Sequence, residues 1–368
     1  MLIWKNVSQI SAVLAVIPDA VFHKNSMKEC KADILRYRLP LKRPLHLKQF
    51  NLNEREGLIL RLNLGGRFGY GEIAPLPGFS CESLFEAETQ LQEFCRAVND
   101  GHFKPFPTDD SERRASYETV FASLPVPSVL FGIESALWWL RQGGWLSPPV
   151  MAPLLQGATE HILLRLEQWQ GSWPKEFKLK IGRDSIEEDC VRINKVLEAL
   201  PESVSIKLDA NQQWTLGQAL SVARSIDVNR IAFVEEPTAS VGDFSELYEK
   251  TGLHFALDET VQQPGYLLQT MHGLAAIVIK PMLVGGLCRC QQLVTAARAQ
   301  GIRVIFSSSY ESSIGLHILE QLSAQWTPEE LPGLDTSSAF VNRLACEDII
   351  AGHPVSINPA FVSLGEKS

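Results

Sequence analysis

Apolar and polar residues alternate over 31–39 and again over 57–64, and Gly65-Gly66 then turns the chain into a third such run, 68–73. Successive strand side chains face opposite ways, so the pattern predicts a small antiparallel sheet with one buried face. The loop 75–80, Pro75-Leu76-Pro77-Gly78-Phe79-Ser80, leads into helical periodicity over 82–98. A second proline-bearing loop covers 101–110. A helix then spans 128–140, with Trp138 and Trp139 expected to pack against the next part of the chain. This first third reads as an α+β unit.

The pattern changes after about residue 150. Short apolar runs at 177–181, 205–209, 231–235, 254–258, 276–280 and 303–307 recur at intervals of roughly 22 to 28 residues, separated by amphipathic segments such as 185–200, 216–225 and 287–300. Strands alternating with helices imply a parallel sheet of βα units. Six repeats favour closure into a TIM-type barrel, with 152–156 and 331–334 supplying the two further strands. Nearly every run ends in a polar or ionisable residue: Lys180, Asp209, Glu235, Asp258, Lys280 and Ser307. In a barrel those ends meet at one face, whereas an open doubly wound sheet spreads them along an edge. No strand is followed by a Gly-x-Gly-x-x-Gly turn, which removes the dinucleotide-binding alternative.

The run Phe177-Lys178-Leu179-Lys180-Ile181-Gly182 places two lysines on one strand face and three apolar residues on the other. Two converging ammonium groups call for anions opposite, and each lowers the other's pKa towards that of a general base. Asp209, Glu235 and Asp258, closing three consecutive strands, supply them. Three crowded carboxylates would repel one another unless a hard divalent cation sits between them, and an all-oxygen donor set suits Mg²⁺, with Mn²⁺ as a substitute. Read singly, each carboxylate could equally be a helix cap or an ion-pair partner. Lys280 lies across the pocket from Lys180. A carboxylate substrate bound between them becomes more acidic at its α-carbon, which a lysine can deprotonate.

Composition narrows the setting. At 368 residues, 45% apolar and 21% charged, the chain is long enough for one or two soluble domains. Its net charge of -8 offers no basic footprint for nucleic acid, so a small-molecule carboxylate is the expected partner. Seven scattered cysteines do not form a disulfide framework, and Cys288 and Cys290 lack a second pair at zinc-site spacing. A reducing cytoplasm is the expected location. The apolar stretch 11–18 is too short to span a bilayer and is followed by no convincing cleavage site, so no membrane partner is expected. Residues 1–27 read as a disordered leader, Met27 is a candidate start, and the fold is expected to begin near Ala32. The oligomeric state is left open.

Lys178-Leu179-Lys180, Asp209-Ala210-Asn211, Glu235-Glu236-Pro237, Asp258-Glu259 and Lys280-Pro281, in this order, resemble the muconate-lactonizing branch of the enolase superfamily. Three further stretches resemble the o-succinylbenzoate synthase family within it: Gly71-Glu72-Ile73-Ala74-Pro75-Leu76-Pro77-Gly78-Phe79-Ser80, the run from Ser307 to Gly315, and Pro332-Gly333-Leu334-Asp335-Thr336. The resemblance implies a modified (β/α)₇β barrel over 126–339, capped by an α+β domain of 28–125 and the tail 340–368. It implies syn dehydration of 2-succinyl-6-hydroxy-2,4-cyclohexadiene-1-carboxylate to o-succinylbenzoate, a step toward menaquinone or phylloquinone.

On that resemblance Lys180 takes the α-proton and returns it to the departing hydroxyl, and Lys280 stabilises the intermediate's charge. Lys178 keeps Lys180 neutral, and Asp209, Glu235 and Asp258 hold Mg²⁺. Ser307 and Gly333 contact the succinyl group, Asn211 and Ser308 are further substrate-binding candidates, and the loop 41–50 is where a lid is expected. Glu236 and Glu259 are expected to face away or lie behind the ligands, and His254, at the far end of its strand, to be packed or solvated. Tyr310 and Lys207 are left undecided. An N-acylamino acid racemase or dipeptide epimerase could use the same scaffold with both lysines as bases. Dipeptide epimerases carry Asp-x-Asp near the eighth strand, and Leu334-Asp335-Thr336-Ser337 departs from it. A silent metal-binding scaffold would be expected to have lost a lysine or a ligand, and none is lost.

Overall fold

A computed structural model describes residues 30–47, 49–103, 120–121, 125–344 and 361–363. The expectations for residues 1–27, most of the loop 101–110 and most of the tail 340–368 lie outside the described residues. The alternating runs form strands β1 (Cys30–Leu47), β2 (Phe50–Leu64) and β3 (Arg67–Ile73), which pair antiparallel, and β11 (Phe361–Ser363) adds to the outer side of β1.

The first two strands are longer than the alternation predicts. Over 41–50, where a lid is expected, the hairpin continues past a bulge between Pro40 and Leu45 to the pair Leu47 and Phe50. The two prolines there hide the strand from a propensity reading. Pro44 lies within that bulge, where the ladder is interrupted, and the Pro40 carbonyl accepts from the Val341 N–H.

Helix α1 (Leu84–Asn99) begins at a capping box in which Ser83 and Glu86 satisfy each other's backbone N–H. With α2 (Pro127–Arg141) it covers one face of the sheet, burying Leu58, Leu60 and Leu62 against Leu91, Phe94, Ile133 and Ala136. The contact of α2 with β3 is backbone against backbone. A Cβ at Gly71 would lie 1.8 Å from the Gly132 carbonyl oxygen, and one at Gly69 2.3 Å from that of Ala136.

The second sheet is parallel and seven-stranded: β4 (Leu154–Leu155), β5 (Glu176–Lys180), β6 (Ser205–Asp209), β7 (Ile231–Glu235), β8 (Phe255–Leu257), β9 (Leu274–Ile279) and β10 (Arg303–Phe306), neighbours in chain order. The eighth position is held by the segment around Gly333. Its N–H donates to the Phe306 carbonyl and its C=O accepts from Ser308, while Ala152 N–H donates to Pro332. The sheet thereby curls into a barrel with a modified eighth strand. Helices α4 (Ile186–Ala199) and α5 (Leu216–Ser225) start at capping boxes, Ser185 with Glu188 and Thr215 with Gln218, while α3 (Thr159–Glu167) and α6 (Gly242–Thr251) have no side-chain cap. Past β9 and β10 come α7 (Pro281–Val284), α8 (Gly286–Arg298) and α9 (Ser313–Trp326). Trp138 and Trp139 pack against Trp145, and Trp139 and Trp145 against His317 of α9, joining the two halves. Among the described residues no helix is long and apolar enough to cross a membrane.

Candidate active site

The carboxyl ends of the barrel strands open into a cavity of about 510 Å³, closed on the far side by His46, Leu47, Leu76 and Phe79 of the first sheet and its loop. That volume suits a small organic molecule. Lys178 and Lys180 project from β5 on the same face, and their register pairs them with Lys207 and Asp209 of β6, as strand alternation requires. The Lys178 ammonium lies 2.8 Å from Asp209 and 2.5 Å from Glu235. Lys180 lies 2.6 Å from the same Asp209 oxygen and 2.7 Å from Asn211 Oδ1. Across the cavity Lys280 lies 2.5 Å from Asp258, whose other oxygen accepts from Gln262 at 2.8 Å. With β5 and β9 four places apart in an eight-position ring, Lys180 and Lys280 face each other over the carboxylates.

All three carboxylates are buried and every one has an ammonium partner. Among the described residues no three acidic, histidine or cysteine groups are gathered at metal-ligand spacing. Lys178 sits between Asp209 and Glu235, and Lys280 holds Asp258 to one side.

The electrostatics separate the three lysines. Burial pushes all three ammoniums down; for Lys178 the Asp209 and Glu235 charges outweigh it and hold the group well above the ordinary lysine value. Lys280 is likewise held up, by Asp258 and Glu259. Lys180 ends below its ordinary value, because burial combines with the Lys178 and Lys280 charges against the single pull of Asp209. Glu235 is pushed up by burial and by Asp209 and Asp258, against Lys178. Burial would also raise Asp209, but Lys178, Lys180 and Lys280 hold it low.

The remaining sequence candidates divide. Ser307 and Gly333 meet across the modified eighth strand, the serine hydroxyl 3.3 Å from the Gly333 carbonyl, and both line the cavity. Ser308 also lines it, but its hydroxyl is engaged by Glu311, Thr336 and the Tyr310 N–H. Asn211 bridges Lys180 and Glu259 from a left-handed backbone, φ 45°. Glu236 lies behind the site, accepting from the Asp258 and Thr260 backbones. Glu259 does not turn away: it lines the cavity and accepts from the Asn211 amide at 3.1 Å. Strand β8 ends at Leu257, so strict alternation no longer governs residue 259. Lys207 is an ion pair deeper down, 2.8 Å from Glu176, and His254 is exposed with its ring on the Gly273 carbonyl. Tyr310 is on the cavity wall.

Two buried residues that brace the cavity wall have no role assigned from the sequence. Arg55 of β2, 2% exposed, donates to the carbonyls of Ala74 and Pro75 and to that of Tyr310, tying the first sheet's loop to the wall that carries Ser307 and Ser308. Glu72 accepts from Tyr37, from the Ser312 N–H and hydroxyl, and from the Gly315 N–H. An arginine in an alternating strand carries no signal of such a role. Glu72 does, as a carboxylate on the buried face of β3.

Two lysines facing each other over three buried carboxylates, at the strand ends of a capped barrel, define an acid–base enzyme of the enolase type. The chain matches the enolase C-terminal domain-like family over residues 165–367 and the MenC N-terminal domain family over 29–140. It is 38% identical to the o-succinylbenzoate synthase of Pectobacterium atrosepticum, over 82% of this chain and 89% of the relative. It is 37% identical to that of Yersinia enterocolitica, over 83% and 90%. The chain therefore belongs to the o-succinylbenzoate synthase family. Among solved structures it resembles the o-succinylbenzoate synthase of Thermosynechococcus elongatus complexed with Mg in the active site, at TM-score 0.64 and 26% identity over 86% of this chain and 95% of that one. The L-Ala-D/L-Glu epimerase of Bacillus subtilis, at TM-score 0.69 and 20% identity over 86% and 92%, shares the fold.

Proposed function

We propose that this chain dehydrates 2-succinyl-6-hydroxy-2,4-cyclohexadiene-1-carboxylate to o-succinylbenzoate, with Lys180 as the acid–base group. The observation that carries the reading is the unequal pair of facing lysines. Lys180 is tuned toward the neutral form a base needs, whereas Lys280 is held charged. Lys180 takes the proton from the ring carbon bearing the carboxylate, and the electron pair of that C–H bond passes into an enediolate. Lys280, cationic on the opposite face, stabilises the negative charge. The C–O bond to the 6-hydroxyl then breaks on the face of Lys180, which returns its proton to the leaving oxygen; one water departs and the ring becomes aromatic. A single group serving both halves requires syn geometry.

The donor set fits a hard divalent cation: three buried carboxylates, no sulfur or imidazole among them, at adjacent strand ends. Asp209, Glu235 and Asp258 would hold it, with Mg²⁺ favoured and Mn²⁺ a substitute. When bound, it would lower the pKa of the substrate's α-carbon and offset the charge that develops on the carboxylate. The test is a spectrophotometric dehydration assay with Mg²⁺, run beside deuterium exchange on N-succinylamino acids. Dehydration with slow exchange supports the proposal; fast exchange without dehydration replaces it with a racemase.

A further inference from the structure

Four cations line the cavity: Lys178, Lys180, Lys280 and Arg183. The three lysines sit at its floor, each with a carboxylate partner. Arg183 is different. It follows β5 at the rim, delivered by a reversal at Gly182, φ 80°, where a Cβ would come 2.9 Å from the Ala210 carbonyl. No described residue ion-pairs or hydrogen-bonds with its guanidinium, and the neighbouring carboxylate, Asp184, is taken by Arg192.

Tyr310 reaches the same cavity from the loop after β10. Its backbone is left-handed, φ 63°, a conformation costing a non-glycine residue roughly 1 kcal/mol or more. Two contacts hold it: its N–H donates to the Ser308 hydroxyl and its carbonyl accepts from buried Arg55. Burial raises the phenol's pKa, and the Arg183 charge is the strongest influence opposing it, so the two groups act on each other across the mouth.

The proposed substrate carries two carboxylates, one on the ring and one ending the succinyl arm. The floor accounts for the first. We propose that Arg183, with Tyr310 on the wall of the same cavity, binds the terminal carboxylate of the succinyl arm and so positions the ring carbon over Lys180. This rests on the dehydratase reading above. A guanidinium presents two parallel N–H donors that match a carboxylate, and a phenol on the cavity wall is a further donor. Ser307 and Gly333 then line the arm between its ends.

The experiment compares the natural substrate with its monomethyl ester at the succinyl end, in wild type, Arg183→Gln, Arg183→Lys and Tyr310→Phe. Wild type should favour the acid over the ester by about 10- to 100-fold in kcat/KM, the range for a hydrogen-bonded charge pair. Arg183→Gln should bring that ratio to within about threefold, with the loss falling on KM more than on kcat. Arg183→Lys should recover part of it, and Tyr310→Phe should reduce it less. The affinity for o-succinylbenzoate in the presence of Mg²⁺, by calorimetry, should fall about tenfold in Arg183→Gln. A wild-type ratio near one, or an unchanged ratio and affinity in Arg183→Gln, overturns the assignment. Absence of turnover in wild type overturns the reaction reading instead, and the o-succinylbenzoate affinities of wild type and Arg183→Gln then decide the binding role alone. Arg183 is exposed, so its replacement leaves the fold intact.

Discussion

Lys180 shares an oxygen of Asp209 with Lys178, and that sharing makes it the less firmly held charge of the pair. Lys180→Ala should lower kcat on the order of a hundred- to ten-thousand-fold, with far-ultraviolet circular dichroism and Mg²⁺ affinity retained. Steady-state kinetics and titration calorimetry check both halves of this statement. Asp209→Ala should instead weaken Mg²⁺ binding sharply, because it removes a carboxylate and frees two ammoniums at the same place; unchanged affinity would break the proposed ligand set. The charged residues of the site were legible in the sequence, since a lysine or carboxylate ending an apolar strand is costly without a purpose. Of the two placements open to Glu259, the outward one fails because the alternation that places strand residues stops one residue before Asp258. Arg55 was invisible, because its partners are backbone carbonyls from segments brought together only by the fold.

The β10–α9 loop that carries Ser307, Ser308 and Tyr310 is fastened by two buried charged residues from the first sheet. Glu72 fills its acceptor sites with donors from Tyr37, Ser312 and Gly315. Glu72→Gln would present an amide donor to groups already donating, and should cost about 2–4 kcal/mol in urea unfolding with a rise in KM. On the other side of the sheet, Gly71→Ala should cost about 3 kcal/mol or more, since a methyl group cannot occupy the Gly132 carbonyl's place without moving α2 off β3. The α2–α9 contact should respond to pH. His317 lies against Trp139 and Trp145 with Nε2 unpartnered, and burial pushes its imidazole down to about 4. Between that value and the ordinary 6.5 the unfolded chain binds the extra proton, so stability is complete above about 6.5 and is lost as the pH falls toward 4. Urea midpoints at pH 7.5 and 5 should differ in wild type and differ less in His317→Leu; equal losses in both would contradict the assignment. The regular elements were legible because their periodicity is strong. The β1–β2 extension was not, since its prolines read as strand breakers and Pro44 is accommodated by a bulge that 31–47 does not encode by itself.

In the whole molecule, one end of the barrel is partly roofed by the first sheet. Leu47 and Leu76 pack on Leu283 past β9, so the floor, walls and roof of the cavity come from segments more than 200 residues apart. Closure into a barrel followed from six similar βα repeats, and the modified eighth strand, expected at 331–334, is held there by a few hydrogen bonds around Gly333. Binding of Mg²⁺ to the native state alone should raise the melting temperature with concentration, and chelation should reverse it. The central claim is that one lysine performs both proton transfers. Its most direct test is single-turnover dehydration with Mg²⁺ by wild type, Lys180→Ala and Lys280→Ala. The account predicts that Lys180→Ala forms o-succinylbenzoate much more slowly than Lys280→Ala does. Product formation by Lys180→Ala at a rate equal to or above that of Lys280→Ala would contradict it.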